Sequence, residues 1–520
     1  MKVTITPSTP YGTVAAPPSK SMVHRYLICA GLAQCTETSG SSAPSAENSL
    51  PHTAAAASFS GNFAKSTIRG IELSEDVQAT IDCLRALGAE VTVYRSYESS
   101  VSGSNERSSI SGAEVTVYRS YEGSVSGSNG RSSISGADQY TDNVDIPIPG
   151  ACQRTGLVDL SISGADPRLA RPAVLNCRES GSTLRFFVPV CALSGQQMTL
   201  TGSERLMQRP LSVYEDIFAE GSVTITHKCT SGEDTSSSIG VSGQLSPGEY
   251  IMDGNVSSQF ISGMLFALPL LDHSSVLKLK PPVESRPYID MTIASLAAYG
   301  VRVSWQDDRT IIIPGGQHYM PQTLTVPGDW SNAAFFLAMG VDVTGLDRSS
   351  LQGDKIIEAY LRRLRVSASE PNSQALPVLD IADCPDNESS IQALPVLDIA
   401  DCPDLGPLLM AFAALNHGCI LTGTARLRIK ESDRGAAMKE ELAKFGVSVT
   451  IDDNSITVGA GARAPSEILN GHNDHRIVMA LTVMCLHTGG TIEGAEAVNK
   501  SFPAFFSTLA SLGAAIELAP

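Results

Sequence analysis

The ten residues LAKFGVSVTI, 442–451, read as the end of a helix, a glycine that stops it and a strand of alternating apolar residues. A glycine just past a helix accepts the left-handed backbone that closes it, and helix followed by strand is half of an α/β unit. The pattern recurs as CLRALGAEVTV around Gly88, IFAEGSVTI around Gly221, LAAYGVRV around Gly300 and LASLGAAIEL around Gly513. A degenerate copy, LRRLRVSA, has Arg365 where the others have glycine. Six such copies predict a repeated α/β fold, and 520 residues exceed one ordinary core, so two domains are expected.

Duplicated sequence accounts for much of the uneven spacing between copies. GAEVTVYRSYESSVSGSNERSSIS from Gly88 is followed from Gly112 by a near copy of itself, and QALPVLDIADCPD begins at Gln374 and again at Gln392. Residues 36–66 are rich in Ser, Ala, Thr and Gly without periodic apolar spacing, and read as a flexible inserted loop. Inserts without function are therefore expected near 36–66 and 88–150, with an extra copy of the doubled stretch beside its partner. That stretch offers two aspartates. Asp404 is followed by LGPLLMAFAALNHG, an apolar helix ending in glycine, whereas the NESSI that follows Asp386 makes no such helix. Asp404 is the candidate for a site.

A formal charge of −17 repels polyanions, which argues against nonspecific binding to nucleic acid or an anionic membrane surface. A local basic pocket for a small anion is compatible with it. The eleven cysteines are odd in number and form no C-x-x-C pair, which fits neither a disulfide framework nor a zinc ribbon and suits a reducing cytoplasm. MKVTITPSTP alternates like a strand rather than a signal peptide, and no apolar run is long enough for a bilayer.

Several segments place hydroxyls and cations at helix starts, where free N–H groups favour anions. PPSKSMVHRYLICAGLA sets Ser19, Lys20 and Ser21 before a helix, RESGSTLRFF opens one at Gly181 and Ser182 with Arg185 following, and DGNVSSQF sets Ser257, Ser258 and Gln259 before an apolar run. None has Walker-loop spacing. Further cations are Arg205 and Arg209, Arg286 beside Ser285 and Tyr288, Arg428, Lys430 and Arg434, Arg476, and Lys500. Singly, each reads as a solvated surface charge; together they suggest one converging polar site. HNDH, with His472, Asp474 and His475, has two histidines three apart and one acid, which falls short of a metal-ligand set.

In order along the chain, PSKSMVHR, ESGSTLRF, GSERLMQRPL, DGNVSSQF, SRPYID, GDWSNAAFF, IADCPDLGP, RIKESDR, NDHR and NKSFPAFF resemble the 5-enolpyruvylshikimate-3-phosphate synthase family. The resemblance implies a two-domain inverse α/β barrel-like fold of six βαβαββ units, three in a lobe of residues 1–19 plus 327–520 and three in a lobe of 20–326. It implies transfer of the enolpyruvyl group of phosphoenolpyruvate to the 5-hydroxyl of shikimate 3-phosphate by addition and elimination, in aromatic amino-acid biosynthesis. No metal or cofactor is implied, and the partners are small molecules, with no nucleic acid or membrane, taken up by a cytoplasmic monomer.

Carried over by motif, Lys20, Ser21, Arg25, Ser257, Ser258, Gln259, Ser285, Tyr288, Asp404 and Lys430 would hold the sugar phosphate. Lys20, Gly181, Arg209, Gln259, Glu431, Arg434, Arg476 and Lys500 would surround phosphoenolpyruvate. Lys20, Asp404 and Glu431 would move protons, with Lys500 and His475 assisting, and the cations would keep both carboxylates ionised. Two positions depart from the family pattern: Glu179 replaces a neutral amide, and Arg426 stands where asparagine is often found. Gly181 keeps the side-chain-free position at which glyphosate, the family's inhibitor, competes. The rival readings are a UDP-N-acetylglucosamine enolpyruvyl transferase, which shares the fold, and an inactive relative that only binds shikimate 3-phosphate.

Overall fold

The computed structural model describes residues 1–34, 65–97, 105–111, 114–120, 156–219, 221–229, 237–365 and 394–519. Its sheets repeat one arrangement. Glu249–Asp253 pairs in parallel with Ser275–Lys280, which pairs antiparallel with Thr310–Ile313, and Ser304–Trp305 closes the edge, also antiparallel. A parallel pair needs a crossover. Here the helix Ser258–Ala267 supplies it, and a second helix, Arg286–Ala298, leads into the last two strands. Val174–Asn176, Gly195–Thr201, Ser237–Gly243 and Thr224–Cys229 follow the same order, as do Val396–Asp398, Cys419–Thr422, Ser455–Val458 and Val449–Ile451.

Two further sets borrow a strand from far along the chain. Thr323–Thr325 lies parallel to Ser66–Glu72 and precedes Leu157–Ser163 and Glu90–Tyr97 in the sheet order. Leu469–Asn470 lies parallel to Gly490–Glu493, and Lys2–Ile5 then fits between Gly490–Glu493 and Ile516–Ala519. The sixth set shows the parallel strands Thr13–Ala15 and Asp342–Thr344. The strand expected just after Arg365 lies outside the described residues, as do Asp386 and the first copy of the doubled stretch.

Among the described residues the buried apolar side chains form two separate clusters. One runs from Val23 to Val326; the other joins Val3 and Ile5 to residues between Trp330 and Ala514. The chain passes between them twice, side by side: Ser19 N donates to Pro327 O at 2.9 Å and Asp329 N donates to Pro17 O at 2.8 Å.

Gly88, Gly300, Gly446 and Gly513 have φ of +100°, +83°, +77° and +89°, the left-handed closure read from sequence. At Gly446 a Cβ would meet nothing within 4 Å, so the requirement there is conformational rather than steric. Gly221 follows the helix Ser212–Phe218 without a positive φ. The inserts also start and stop differently from expectation. Buried Ser66 opens a strand, and Glu90–Tyr97 belongs to the regular sheet. The duplicated EVTVYRS repeats its conformation: Glu114–Ser120 is again a strand, paired with Asn105–Ser111, which pairs with Glu90–Tyr97. The same run of β-branched residues, Val-Thr-Val, followed by tyrosine favours a strand in both copies. Among the described residues no helix is long and apolar enough to cross a membrane.

Candidate active site

Helix starts from both cores converge on one cavity. Lys20 opens the helix Lys20–Leu32, Gly181 opens Gly181–Cys191, Ser257 caps Ser258–Ala267, Ser285 precedes Arg286–Ala298, and His475 opens His475–Thr488. Asp404 sits in the single turn Pro403–Leu405 that leads into Gly406–Leu415. Ser180 and Ser257 cap their helices with their own hydroxyls, whereas Ser19 and Ser285 do not. Instead buried Asp329 accepts from Lys20 N at 3.3 Å and from Ser331 N and Asn332 N at 2.8 and 3.2 Å, so one carboxylate serves two helix starts where the chain crosses. Ser285 has φ +55° and turns its hydroxyl to Arg426 rather than to its own helix.

Gly181 fits its place for a steric reason. A Cβ there would stand 2.5 Å from Arg209 Nη1, so the missing side chain lets the guanidinium lie against the helix start. Gln259 is fixed from both ends, accepting from Arg185 Nη1 at 2.7 Å and donating to Ser182 Oγ at 2.8 Å. Arg25 donates to Thr292 Oγ1, Ser21 O and Tyr288 O at 2.7–2.8 Å, and Tyr288 Oη donates to Asp354 Oδ2 at 2.9 Å across the two cores. Lys20 Nζ is 2.9 Å from Asp76 Oδ2.

The cavity wall holds eight lysines and arginines against four aspartates and glutamates, a basic pocket inside an acidic protein. Arg434, almost wholly buried, is bonded to three carboxylates: Asp404 at 2.8 Å, Glu431 at 2.6 Å and Asp474 at 2.8 Å. Lys430 adds a second cation 3.1 Å from Asp404. Burial pushes the Asp404 carboxyl up, but Lys430, Arg434 and Arg476 outweigh it and hold it well below the usual carboxylate range. Glu431 is held low in the same way, against burial, by Arg434 and Arg209 first. His475 goes the other way: burial, then Lys20 and Arg476, depress it far enough to keep the imidazole neutral. Burial lowers Arg25 and Arg185 to about 10, which leaves both charged at neutral pH.

Of the residues singled out from sequence for the two substrates, Lys20, Ser21, Arg25, Gly181, Arg209, Ser257, Ser258, Gln259, Ser285, Tyr288, Asp404, Lys430, Glu431, Arg434 and Arg476 all line this cavity. Lys500 does not; its ammonium is paired with Glu179 and donates to Asn473 O at 2.8 Å. Arg185, Arg426, Asp76 and Asp329 line the cavity without having been assigned to it. Arg185 was readable as a cation on the helix that Gly181 opens, and Asp329 as the capping residue of GDWSNAAFF. Asp76 had no signal of its own. The HNDH residues face apart: His472 Nε2 bonds Glu441 at 2.9 Å, Asp474 caps a helix and binds Arg434, and His475 lines the cavity.

The model of the EPSP synthase (3-phosphoshikimate 1-carboxyvinyltransferase) family matches residues 157–509. A 3-phosphoshikimate 1-carboxyvinyltransferase of Clostridium kluyveri is 32% identical over 531 residues, covering 99% of this chain and 98% of the relative. One of Clostridium perfringens is 30% identical over 535 residues, covering 99% of each. A solved EPSP synthase structure from Acinetobacter baumannii aligns over 100% of both chains with a TM-score of 0.61 at 20% identity, a likeness of fold. With its repeated units, its cation-lined cavity and relatives matched from end to end, the chain belongs to the EPSP synthase family.

Proposed function

We propose that the chain transfers the enolpyruvyl group of phosphoenolpyruvate to the 5-hydroxyl of shikimate 3-phosphate and releases inorganic phosphate. The observation that supports this most directly is the convergence of Asp404, Glu431 and Lys20 with cations from both cores on one cavity. Two substrates bearing phosphates and carboxylates require such fixed donors. In this reading the Ser257–Gln259 and Ser285–Tyr288 side, with Ser21, Arg25 and Lys430, takes the sugar phosphate. Gly181, Arg209, Arg434 and Arg476 take phosphoenolpyruvate.

Addition forms a bond between the 5-oxygen and the second carbon of phosphoenolpyruvate, while the hydroxyl proton leaves and the methylene carbon gains one. Asp404, held ionised beside Lys430, is the base for the hydroxyl. The ammonium of Lys20 is the donor to carbon, since both carboxylates are too acidic to begin as acids. Elimination breaks the carbon–oxygen bond to phosphate as a proton leaves the new methyl group, and ionised Glu431 accepts it. The two buried clusters are read as lobes of 1–19 plus 327–520 and of 20–326, acting as a cytoplasmic monomer. Among the described residues, seven buried cysteines carry free thiols, which suits a reducing compartment.

A phosphate-release assay with phosphoenolpyruvate and each acceptor tests the reading. Release is expected with shikimate 3-phosphate and not with UDP-N-acetylglucosamine. Release with the nucleotide sugar alone identifies the sister activity, and no release with either identifies an inactive relative.

A further inference from the structure

Glu179 lies two residues before Gly181, outside the helix, and its carboxylate reaches across to the other buried cluster. It is paired with the Lys500 ammonium, and Asn473 Nδ2 approaches its two oxygens at 3.5 and 3.4 Å. Lys500 also donates to Asn473 O at 2.8 Å, so the three residues form one closed group. The backbone is arranged around it: Arg178, His472 and Asn473 are non-glycine residues at φ +50°, +49° and +52°. Residues in that region of φ persist where the surroundings hold them.

Lys500 is 7% exposed and Glu179 about a third exposed at its side chain. The buried cation therefore already has an anion, supplied by the chain itself, and it lies off the cavity wall while bound to it. A neutral amide at position 179 would leave the ammonium free for an external anion. A site whose competent form is only part of the population binds with affinity reduced by that fraction.

We propose that Glu179 is a specificity-determining residue, a built-in carboxylate that competes for Lys500 with anions entering on the Gly181 side. It weakens the hold on phosphoenolpyruvate and on inorganic phosphate, and Lys500 leaves it when they bind. The proposal rests on the phosphoenolpyruvate reading of that side for its substrate, and on the ion pair alone for its effect on phosphate.

The test uses Glu179→Gln and Glu179→Asp in the full chain. Glu179→Gln is expected to lower KM for phosphoenolpyruvate about 3- to 10-fold with KM for shikimate 3-phosphate changed less than twofold. Calorimetry with inorganic phosphate alone should show tighter binding by a similar factor. Glu179→Asp, which keeps the charge on a shorter arm, should fall between. In a Lys500→Met background the Glu179→Gln effect on phosphate should vanish. An unchanged or weaker phosphate affinity in Glu179→Gln, or a gain that survives Lys500→Met, overturns the proposal. Absence of turnover in the unmodified chain removes the enolpyruvyl reading, while the phosphate calorimetry still decides the role of Glu179.

Discussion

Two groups of buried and half-buried carboxylates have opposite character. Asp404 and Glu431 are held well below the usual range; Asp354 and Glu72 are pushed up to about 7, and Asp329 is raised as well. Burial acts on both groups alike. The difference is the cations. Arg434 and Lys430 are ion-paired with the first group, whereas Asp354, although Arg476 also pulls it down, bonds the Tyr288 hydroxyl and feels the Asp404 charge, and Glu72 Oε1 has the Ala504 N–H at 3.2 Å. Acidity in this protein is set by which side chain reaches the carboxylate, more than by depth.

The largest break in that comparison is Asp404→Asn. Phosphate release is expected to fall about 10²- to 10⁴-fold, the usual worth of a positioned base, while Asp386→Asn leaves turnover within about twofold of normal. Equal losses in the two variants, or a loss below tenfold at Asp404, would remove Asp404 from the catalytic role. Next is Arg434→Met, which leaves Asp474 and its neighbours without their shared cation. Removing one partner of a buried pair costs about 3–5 kcal/mol, read as a lower midpoint in urea at unchanged slope. A midpoint matching the unmodified chain would show that the cluster is solvated.

The smallest effect is on pH dependence. Ionised Asp404 and Glu431 contribute stability that is present above the unfolded carboxylate range and lost as pH falls below about 4. Asp354 and Glu72 have folded values above their unfolded ones, so the folded state holds more protons and stability declines as pH rises from about 4 to 7. Asp354→Asn keeps an acceptor for Tyr288 and removes one titration. The fall in melting temperature between pH 5 and pH 8 should shrink by about 1–3 °C; an unaltered fall means Asp354 does not titrate there.

The repeat was legible because each copy is a local signal: Gly446 ends its helix with a positive φ that neighbouring sequence demands. The cavity was legible too, since Lys20, Ser257, Gln259 and Arg434 stand at motif positions. Partnerships were not. Asp76 meets Lys20 from 56 residues away, Tyr288 meets Asp354, and Glu179 meets Lys500 across most of the chain. The last two pairs are set by how the two cores face each other and the first by how two helices pack within one, and no short window of sequence contains both members. Lys500 shows the consequence: its motif was readable, yet the carboxylate that holds it lies in another.

The strand Lys2–Ile5 sits between Gly490–Glu493 and Ile516–Ala519. In synthesis from the N-terminus, that strand emerges long before either neighbour exists, while the cluster from Val23 to Val326 has all its sequence in hand much earlier. The segment is thus an early-made, late-used part. It waits unpaired through most of translation, and its docking is the long-range step that closes the last sheet.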